Sequence, residues 1–174
     1  AADRRGAVIY SDAFFDSQDS FGLGSVQFFL EVDDPHRPSS ARFALSPPGV
    51  LSLFDERKHY SGVLELFAVY MHLYEHRWQL KSRDIRFFVD NVGVLAQLTK
   101  GASSAEDLSP IISAIHFLIV LFDMRIWWEY VESEANISDA LSRKGANDEM
   151  TMRLSWNPKP AALPPWGTGW KLKA

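Results

Sequence analysis

The chain has 174 residues, the length of one domain, and 47% of them are hydrophobic, which excludes global disorder. It contains no cysteine, so disulfide scaffolds, cysteine-ligated zinc sites and thiol nucleophiles are excluded. Eighteen basic and twenty-two acidic residues give a net charge of −4, so bulk charge does not attract nucleic acid to this protein. Any polyanion must be held locally, for example through metal ions.

Hydrophobic periodicity and turn residues predict the element order β-β-β-α-β-α-α-β-α. The first three strands are joined by turns, and the later strands alternate with helices. This order is typical of an α/β domain, with a five-stranded mixed sheet flanked by helices. The predicted strands cover residues 7–10, 21–31, 41–45, 85–89 and 125–131, and the predicted helices cover 63–80, 92–99, 109–123 and a short segment from 136 or 138 to 143.

The composition changes after Lys144, because three of the six tryptophans and several prolines lie beyond it. We expect residues 1–145 to form the catalytic domain. Residues 146–174 are predicted to be an irregular Pro/Trp-rich tail or linker that the fold can lose.

No segment of the sequence indicates a membrane partner. The longest apolar run, residues 111–122, is interrupted by Ser113 and His116 and is too short to cross a bilayer. The first residues lack the apolar stretch of a signal peptide. We therefore expect an intracellular location, in the cytoplasm or the nucleus.

Four carboxylates fall at positions that favour a shared site. Asp12 and Asp90 directly follow two predicted strands, and the carboxyl ends of parallel neighbours meet at one edge of a sheet. Glu65 is an acidic residue in an otherwise apolar helical run, where burial is costly unless its charge is neutralised. Asp139 opens the last predicted helix. Each residue alone is often only a turn former or a helix cap, so the argument depends on their combination.

Four carboxylates at one point repel one another unless divalent cations lie among them. Ligation by oxygen alone favours Mg²⁺ or Mn²⁺. Two such ions about 3.5–4 Å apart can activate a water molecule and stabilise the leaving oxygen of a phosphodiester. The pattern therefore predicts two Mg²⁺ ions, with Mn²⁺ as a substitute.

The order of these acidic residues along the predicted elements resembles that of the ribonuclease H fold. The most specific segment is residues 136–143, with the sequence Asn-Ile-Ser-Asp-Ala-Leu-Ser-Arg. It is similar to the Asn-x-x-Asp-x-x-Ser-Arg ending of ribonuclease H domains in retrotransposon polyproteins, particularly those of DIRS-type and related elements. Residues 97–103 resemble the stretch of lysine, glycine, a small residue and serine that follows the third acidic strand of the same domains. The resemblance covers about residues 6–143.

This resemblance implies an endonuclease that hydrolyses the RNA strand of RNA–DNA hybrids by a two-metal-ion mechanism. It also implies a reverse transcriptase domain in the same polyprotein. The implied catalytic residues and metal ligands are Asp12, Glu65, Asp90 and Asp139, and the implied substrate-binding residues are Ala13, Asn91, Asn136 and Arg143.

Two departures from the family pattern bear on turnover and on hybrid binding. Residues 130–135, before the last predicted helix, contain no histidine, and Glu132 or Glu134 is the candidate for its role. Lys100 is the only lysine or arginine among residues 91–124, so the basic helix by which some cellular enzymes grip the hybrid is absent.

Two other interpretations stay open. The chain could be a catalytically weak or inactive ribonuclease H-like scaffold, such as a connection-type domain in a larger polymerase. Loss of an acidic ligand would favour the scaffold, and all four are present. Separately, His72 and His76 enclose Glu75 in the His-x-x-Glu-His pattern of inverted zincins, although no third ligand follows at a recognisable spacing.

Overall fold

The computed structural model describes residues 3–165, apart from residues 33 and 35. The strands are β1 (Gly6–Ser17), β2 (Ser20–Phe29), β3 (Ser40–Leu45), β4 (Asp84–Val89), β5 (Arg125–Tyr130) and β6 (Lys159–Pro160), and the helices are α1 (Ser61–Glu75), α2 (Val92–Lys100), α3 (Ser109–Leu121), α4 (Asp139–Lys144) and α5 (Glu149–Arg153). The strands form one mixed sheet in the order β5-β4-β1-β2-β3-β6. The β1–β2 and β2–β3 pairs are antiparallel, and the β1–β4, β4–β5 and β3–β6 pairs are parallel.

The predicted element order up to α4 is confirmed, with changes at several boundaries. The first strand is much longer than predicted, so Asp12 lies inside β1 rather than at its end. The helix predicted over residues 63–80 ends at Glu75. The sheet has a sixth strand, the two-residue β6, in addition to the five predicted.

The helices cover both faces of the sheet. Alternate residues of a strand point to opposite faces, so Ile9 on β1 and Leu23 on β2 face the larger core, which α1, α2 and α3 also line. The opposite face carries a smaller core, in which Val26 packs with Leu141 of α4 and with Trp156. Among the described residues, no helix has both the length and the apolar character needed to cross a membrane.

Two glycines let α4 lie directly on β2. A Cβ atom at Gly22 would lie 1.8 Å from the carbonyl oxygen of Ser142, and one at Gly24 would lie 2.7 Å from that of Ser138. Both distances are far inside van der Waals contact, so only glycine fits at these positions. Because Gly22 and Gly24 have no side chains, the short helix that begins with Asp139 can pack directly against the backbone of β2.

A buried polar network joins α1 to the sheet. His72 donates from Nε2 to Gln27 Oε1 at 2.8 Å and accepts at Nδ1 from the Ser25 hydroxyl at 2.7 Å. His76 donates to the backbone carbonyl of His72 at 2.9 Å and accepts from the Ser40 hydroxyl at 2.6 Å. Burial lowers the pKa of both imidazoles, so both are neutral. All four ring nitrogens are occupied by protein partners, which contradicts the inverted-zincin interpretation.

The segment after Lys144 is more ordered than the sequence predicts. It contains a 3₁₀ turn (Gly145–Asn147), α5 and β6, so part of the predicted irregular tail has regular structure. The Trp156 indole is buried and donates from Nε1 to the carbonyl of His36 at 2.8 Å. Trp166 and Trp170 lie outside the described residues, and the predicted division of the chain at residue 145 stays a prediction.

Candidate metal centre

The parallel pairing of β1 and β4 brings Asp12 and Asp90 to the same level of the sheet. The last residues in register are Tyr10 and Phe88, and each aspartate lies two positions further along its strand direction. Asp12 Oδ1 accepts a hydrogen bond from the amide of Ala13 at 2.8 Å, which fixes one side of the carboxylate. The predicted neighbourhood of the two aspartates follows from this register.

Glu65 reaches the same point from the second turn of α1. One carboxylate oxygen each from Asp12, Glu65 and Asp90 lies within 4.8 Å of the other two. The Oε2 atom of Glu65 is buried and has no hydrogen-bond partner among the described residues. Three of the four predicted ligands therefore converge on one point.

Asp139, the fourth predicted ligand, touches this cluster through Asp12. It lies outside the group of three mutually close oxygens. A side-chain hydrogen bond joins it to Asp12. On its other side, Asp139 Oδ1 accepts from Arg143 Nε at 3.1 Å. Asp12 thus lies between Asp139 on one side and the Glu65–Asp90 pair on the other.

The electrostatics of the cluster are unfavourable without a cation. Burial, together with the hydrogen bond to Asp139 and the charge of Asp90, raises the pKa of Asp12 to about 9. Burial also raises the pKa of Glu65 to about 8, together with the charge of Asp90, against a hydrogen bond to Asn91 that lowers it. Close carboxylates, one with an orphaned oxygen, form the all-oxygen donor set that Mg²⁺ and Mn²⁺ prefer, so the residues present fit divalent cations.

Two asparagines predicted to bind substrate are instead engaged with the protein. Asn91 caps α2, its Oδ1 accepting from the amide of Val94 at 3.0 Å, and its side chain lies close enough to Glu65 to lower the pKa of that carboxyl. Asn136 is buried and donates from Nδ2 to the carbonyl of Ser11 at 2.9 Å. Their roles in substrate binding stay predictions.

The other two predicted substrate-binding residues differ in exposure. Ala13 is buried, and its amide is occupied by Asp12. Arg143 has 55% of its side chain exposed and lies next to Asp139, with its guanidinium 5.1 Å from the centre of the Phe14 ring. Arg143 is therefore the predicted substrate contact with an exposed positive charge, although its Nε already bonds to Asp139.

The strand order, the helices on both faces and the acidic cluster on the central parallel strands define a ribonuclease H-like α/β fold. Comparison with solved structures confirms this class. RNase H1 from the archaeon Halobacterium salinarum is 18% identical with a TM-score of 0.60, over 82% of this chain and 97% of that one. LC11-RNase H1, isolated from compost by a metagenomic approach and solved with an RNA/DNA hybrid, is 15% identical with a TM-score of 0.60, over 78% and 93%.

The foamy virus protease-reverse transcriptase, solved with an RNA/DNA hybrid, is also similar. It is 13% identical with a TM-score of 0.54, and the match covers 82% of this chain and 20% of the viral one. No protein-family model and no curated protein matches the sequence. At these identities the comparisons establish the fold, and function must be argued from the site.

Proposed function

We propose that this chain is a divalent-cation-dependent ribonuclease H that hydrolyses the RNA strand of RNA–DNA hybrids. The observation that carries the proposal is the convergence of Asp12, Glu65 and Asp90 within 4.8 Å on a ribonuclease H-like fold. Solved neighbours with this fold include RNase H1 enzymes, one of them bound to a hybrid. The fold and the carboxylates together favour metal-dependent phosphodiester hydrolysis over a purely structural role.

The residues divide into two ligand groups that share Asp12. Asp12, Glu65 and Asp90 would hold one cation, and Asp12 with Asp139 would hold a second. Bound Mg²⁺ or Mn²⁺ would supply an activated water molecule and stabilise the leaving oxygen of the phosphodiester. Because the pKa values of Asp12 and Glu65 are raised, binding of a cation would release protons from these two carboxyls.

The chain's own groups orient the substrate around these cations. Arg143 places an exposed positive charge beside Asp139, where it can contact a phosphate. The pairing of β1 with β4 stops at Tyr10, so one edge of β1 beyond Asp12 is not paired with β4. Peptide groups of Ala13 to Phe15 are therefore candidates to contact the 2′-hydroxyl, which distinguishes RNA from DNA.

The wider context is part of the same proposal. The resemblance of residues 136–143 to retrotransposon domains, and the fold shared with part of a viral protease-reverse transcriptase, support a retroelement origin with a reverse transcriptase domain in the same polyprotein. We also propose an intracellular location, where such a hybrid would be made, and a domain boundary near residue 145.

A panel of substrates tests the proposed activity. The full chain is incubated with Mn²⁺ or Mg²⁺ at low salt and with an RNA–DNA hybrid, single-stranded RNA, double-stranded RNA or double-stranded DNA of one sequence. We expect cuts within the RNA of the hybrid alone, with 5′-phosphate ends, and none in excess EDTA. Cleavage of all RNA forms alike would contradict hybrid selection. No cleavage of any substrate would favour the inactive scaffold.

A further inference from the structure

The buried side-chain amide of Asn136 links two segments of the chain, one that carries Asp12 and one that carries Asp139. Asn136 donates from Nδ2 to the carbonyl of Ser11 at 2.9 Å. Its Oδ1 accepts from both the amide and the hydroxyl of Ser138, at 3.1 and 2.6 Å. Ser11 immediately precedes Asp12, and Ser138 immediately precedes Asp139. Asn136 therefore bridges the backbone beside one acidic residue to the backbone beside the other.

Gly24 provides a second, independent constraint on the same distance. It is the cross-strand partner of Asp12 in the β1–β2 register. A Cβ atom there would lie 2.7 Å from the Ser138 oxygen and 2.7 Å from the Ser142 nitrogen, so the first turn of α4 rests on the bare backbone of β2. Any side chain at Gly24 would push the start of α4, and Asp139 with it, away from Asp12.

We infer that Asn136 and Gly24 are positioning residues that set the separation of Asp12 and Asp139, and thereby the cation held between those two carboxylates. This inference rests on the proposed function for its second cation. It assigns Asn136 a role through Asp139 rather than through substrate contact. Asn136 is 4% exposed, and both the nitrogen and the oxygen of its amide form hydrogen bonds within the protein, which favours a positioning role over contact with a nucleotide.

The inference predicts a defect in metal binding rather than in hybrid affinity. Residues that orient metal ligands typically change metal affinity by about 10–100-fold when they are replaced. We therefore expect Asn136→Ala to weaken Mn²⁺ binding by about tenfold or more and to raise the Mn²⁺ concentration for half-maximal cleavage equally. KM for the hybrid, measured at saturating Mn²⁺, should not change. A substrate-binding role would give the reverse pattern.

The test measures Mn²⁺ binding to the metal-free full chain by isothermal titration calorimetry, and cleavage in a separate assay. Gly24→Ala is the second variant, and it should weaken Mn²⁺ binding in the same direction. Gly6→Ala is its matched control, because the added methyl meets the flexible Leu30 side chain at the far end of β1. Ile115→Val, in the core on α3, controls for a general loss of stability.

Each outcome decides the inference. Folded Asn136→Ala that binds Mn²⁺ within about twofold of wild type overturns it, as does a raised KM with unchanged Mn²⁺ affinity. If Asn136→Ala does not fold, Gly24→Ala and the milder Ser138→Ala test the inference instead. We expect Ser138→Ala to weaken Mn²⁺ binding a few-fold. Wild type that binds Mn²⁺ without cleaving any hybrid refutes the proposed function alone, since the binding comparison still stands. Wild type that binds no Mn²⁺ refutes both.

Discussion

Asp12 and Glu65 bring carboxylate oxygens within 4.8 Å of each other from opposite faces of the sheet. Asp12 shares the face on which α4 lies, whereas Glu65 belongs to α1 on the other face, and the two meet where the β1–β4 pairing ends. An ionised, buried Asp12 and an ionised, half-buried Glu65 at this distance destabilise the metal-free fold. The acidic cluster therefore lowers the stability of the metal-free protein, and this loss is measurable.

The first prediction is that Asp12→Asn stabilises the metal-free protein, increasingly so at high pH. The pKa of Asp12 is raised from 3.8 to about 9, so the carboxyl's contribution to stability is present at low pH and is lost as the pH rises towards 9. Asparagine does not ionise, so Asp12→Asn removes this loss of stability at high pH. At pH 9 in EDTA we expect a gain of at least about 1 kcal/mol, or about 2–4 °C in melting temperature, and little gain at pH 4.

Thermal unfolding followed by circular dichroism at pH 4, 7 and 9 measures this gain. The exposed Asp16, further along β1, provides the control, because Asp16→Asn should leave the melting temperature unchanged. A variant Asp12→Asn that is less stable than wild type at all three pH values would contradict the proposed charge repulsion.

The second prediction is that Mn²⁺ stabilises the folded chain through the acidic cluster. A cation at about one hundred times its dissociation constant adds about 2.7 kcal/mol if it binds the folded state alone. The rise in melting temperature should be larger at pH 8 than at pH 5, because protons compete for Asp12 and Glu65. Differential scanning calorimetry with and without Mn²⁺ measures the rise. An equal rise in Asp12→Asn would place the bound ion elsewhere.

The third prediction concerns the segment after Lys144. Trp156 is buried against Val26, Ala41 and Leu141, so Trp156→Ala should cost about 3–5 kcal/mol of unfolding free energy. Urea denaturation measures this loss. Trp127 on β5 is 53% exposed and provides the matched control. Trp127→Ala should lower the free energy of unfolding far less.

The same measurement on a chain truncated after Lys144 tests the predicted boundary. Cooperative unfolding that survives truncation would support a tail that the fold can lose. A Trp156→Ala variant as stable as wild type would show that the observed packing contributes little.

The fourth prediction concerns the salt dependence of hybrid binding. The net charge is −4, so affinity should be weak and should fall as salt rises. If Arg143 contacts one phosphate, Arg143→Ala should reduce the slope of log K against log salt by about 0.9. Fluorescence anisotropy from about 50 to about 200 mM salt measures the slope. The exposed Lys81, which precedes β4 at the opposite end of the strands, is the control. Equal slopes for wild type and Arg143→Ala would exclude this phosphate contact.

Local sequence signals were sufficient to predict most of the helices and strands and to select the acidic residues that lie close together. The helix predicted over residues 92–99 matches α2, which Asn91 and Gly101 cap in the structure. Asp12 was a misleading stop signal for β1, because aspartate is depleted in strands while the pairing of Phe14 and Phe15 with β2 continues beyond it. Pairing with β2 extends β1 past Asp12, and a local sequence pattern carries no information about that pairing.

The remaining differences depend on contacts between distant residues. The β6 strand exists because Lys159 and Pro160 pair with β3, more than a hundred residues away. Asn136 points inward because the Ser11 carbonyl, far earlier in the chain, accepts its amide. The resemblance identified residues 136–143 as a motif, but only the three-dimensional contacts show that Asn136 bonds to the Ser11 carbonyl while Asp139 contacts Asp12.

The most direct test of the account compares wild type with Asp90→Asn in hybrid cleavage. Asparagine keeps the shape of Asp90 but loses the anionic ligand, so the fold and melting behaviour should be retained. We predict Mn²⁺-dependent cleavage of the RNA strand by wild type, and a rate at least about a hundredfold lower for Asp90→Asn. Equal cleavage by the two proteins, or cleavage by wild type that persists in excess EDTA, would contradict a metal-dependent site at Asp12, Glu65 and Asp90.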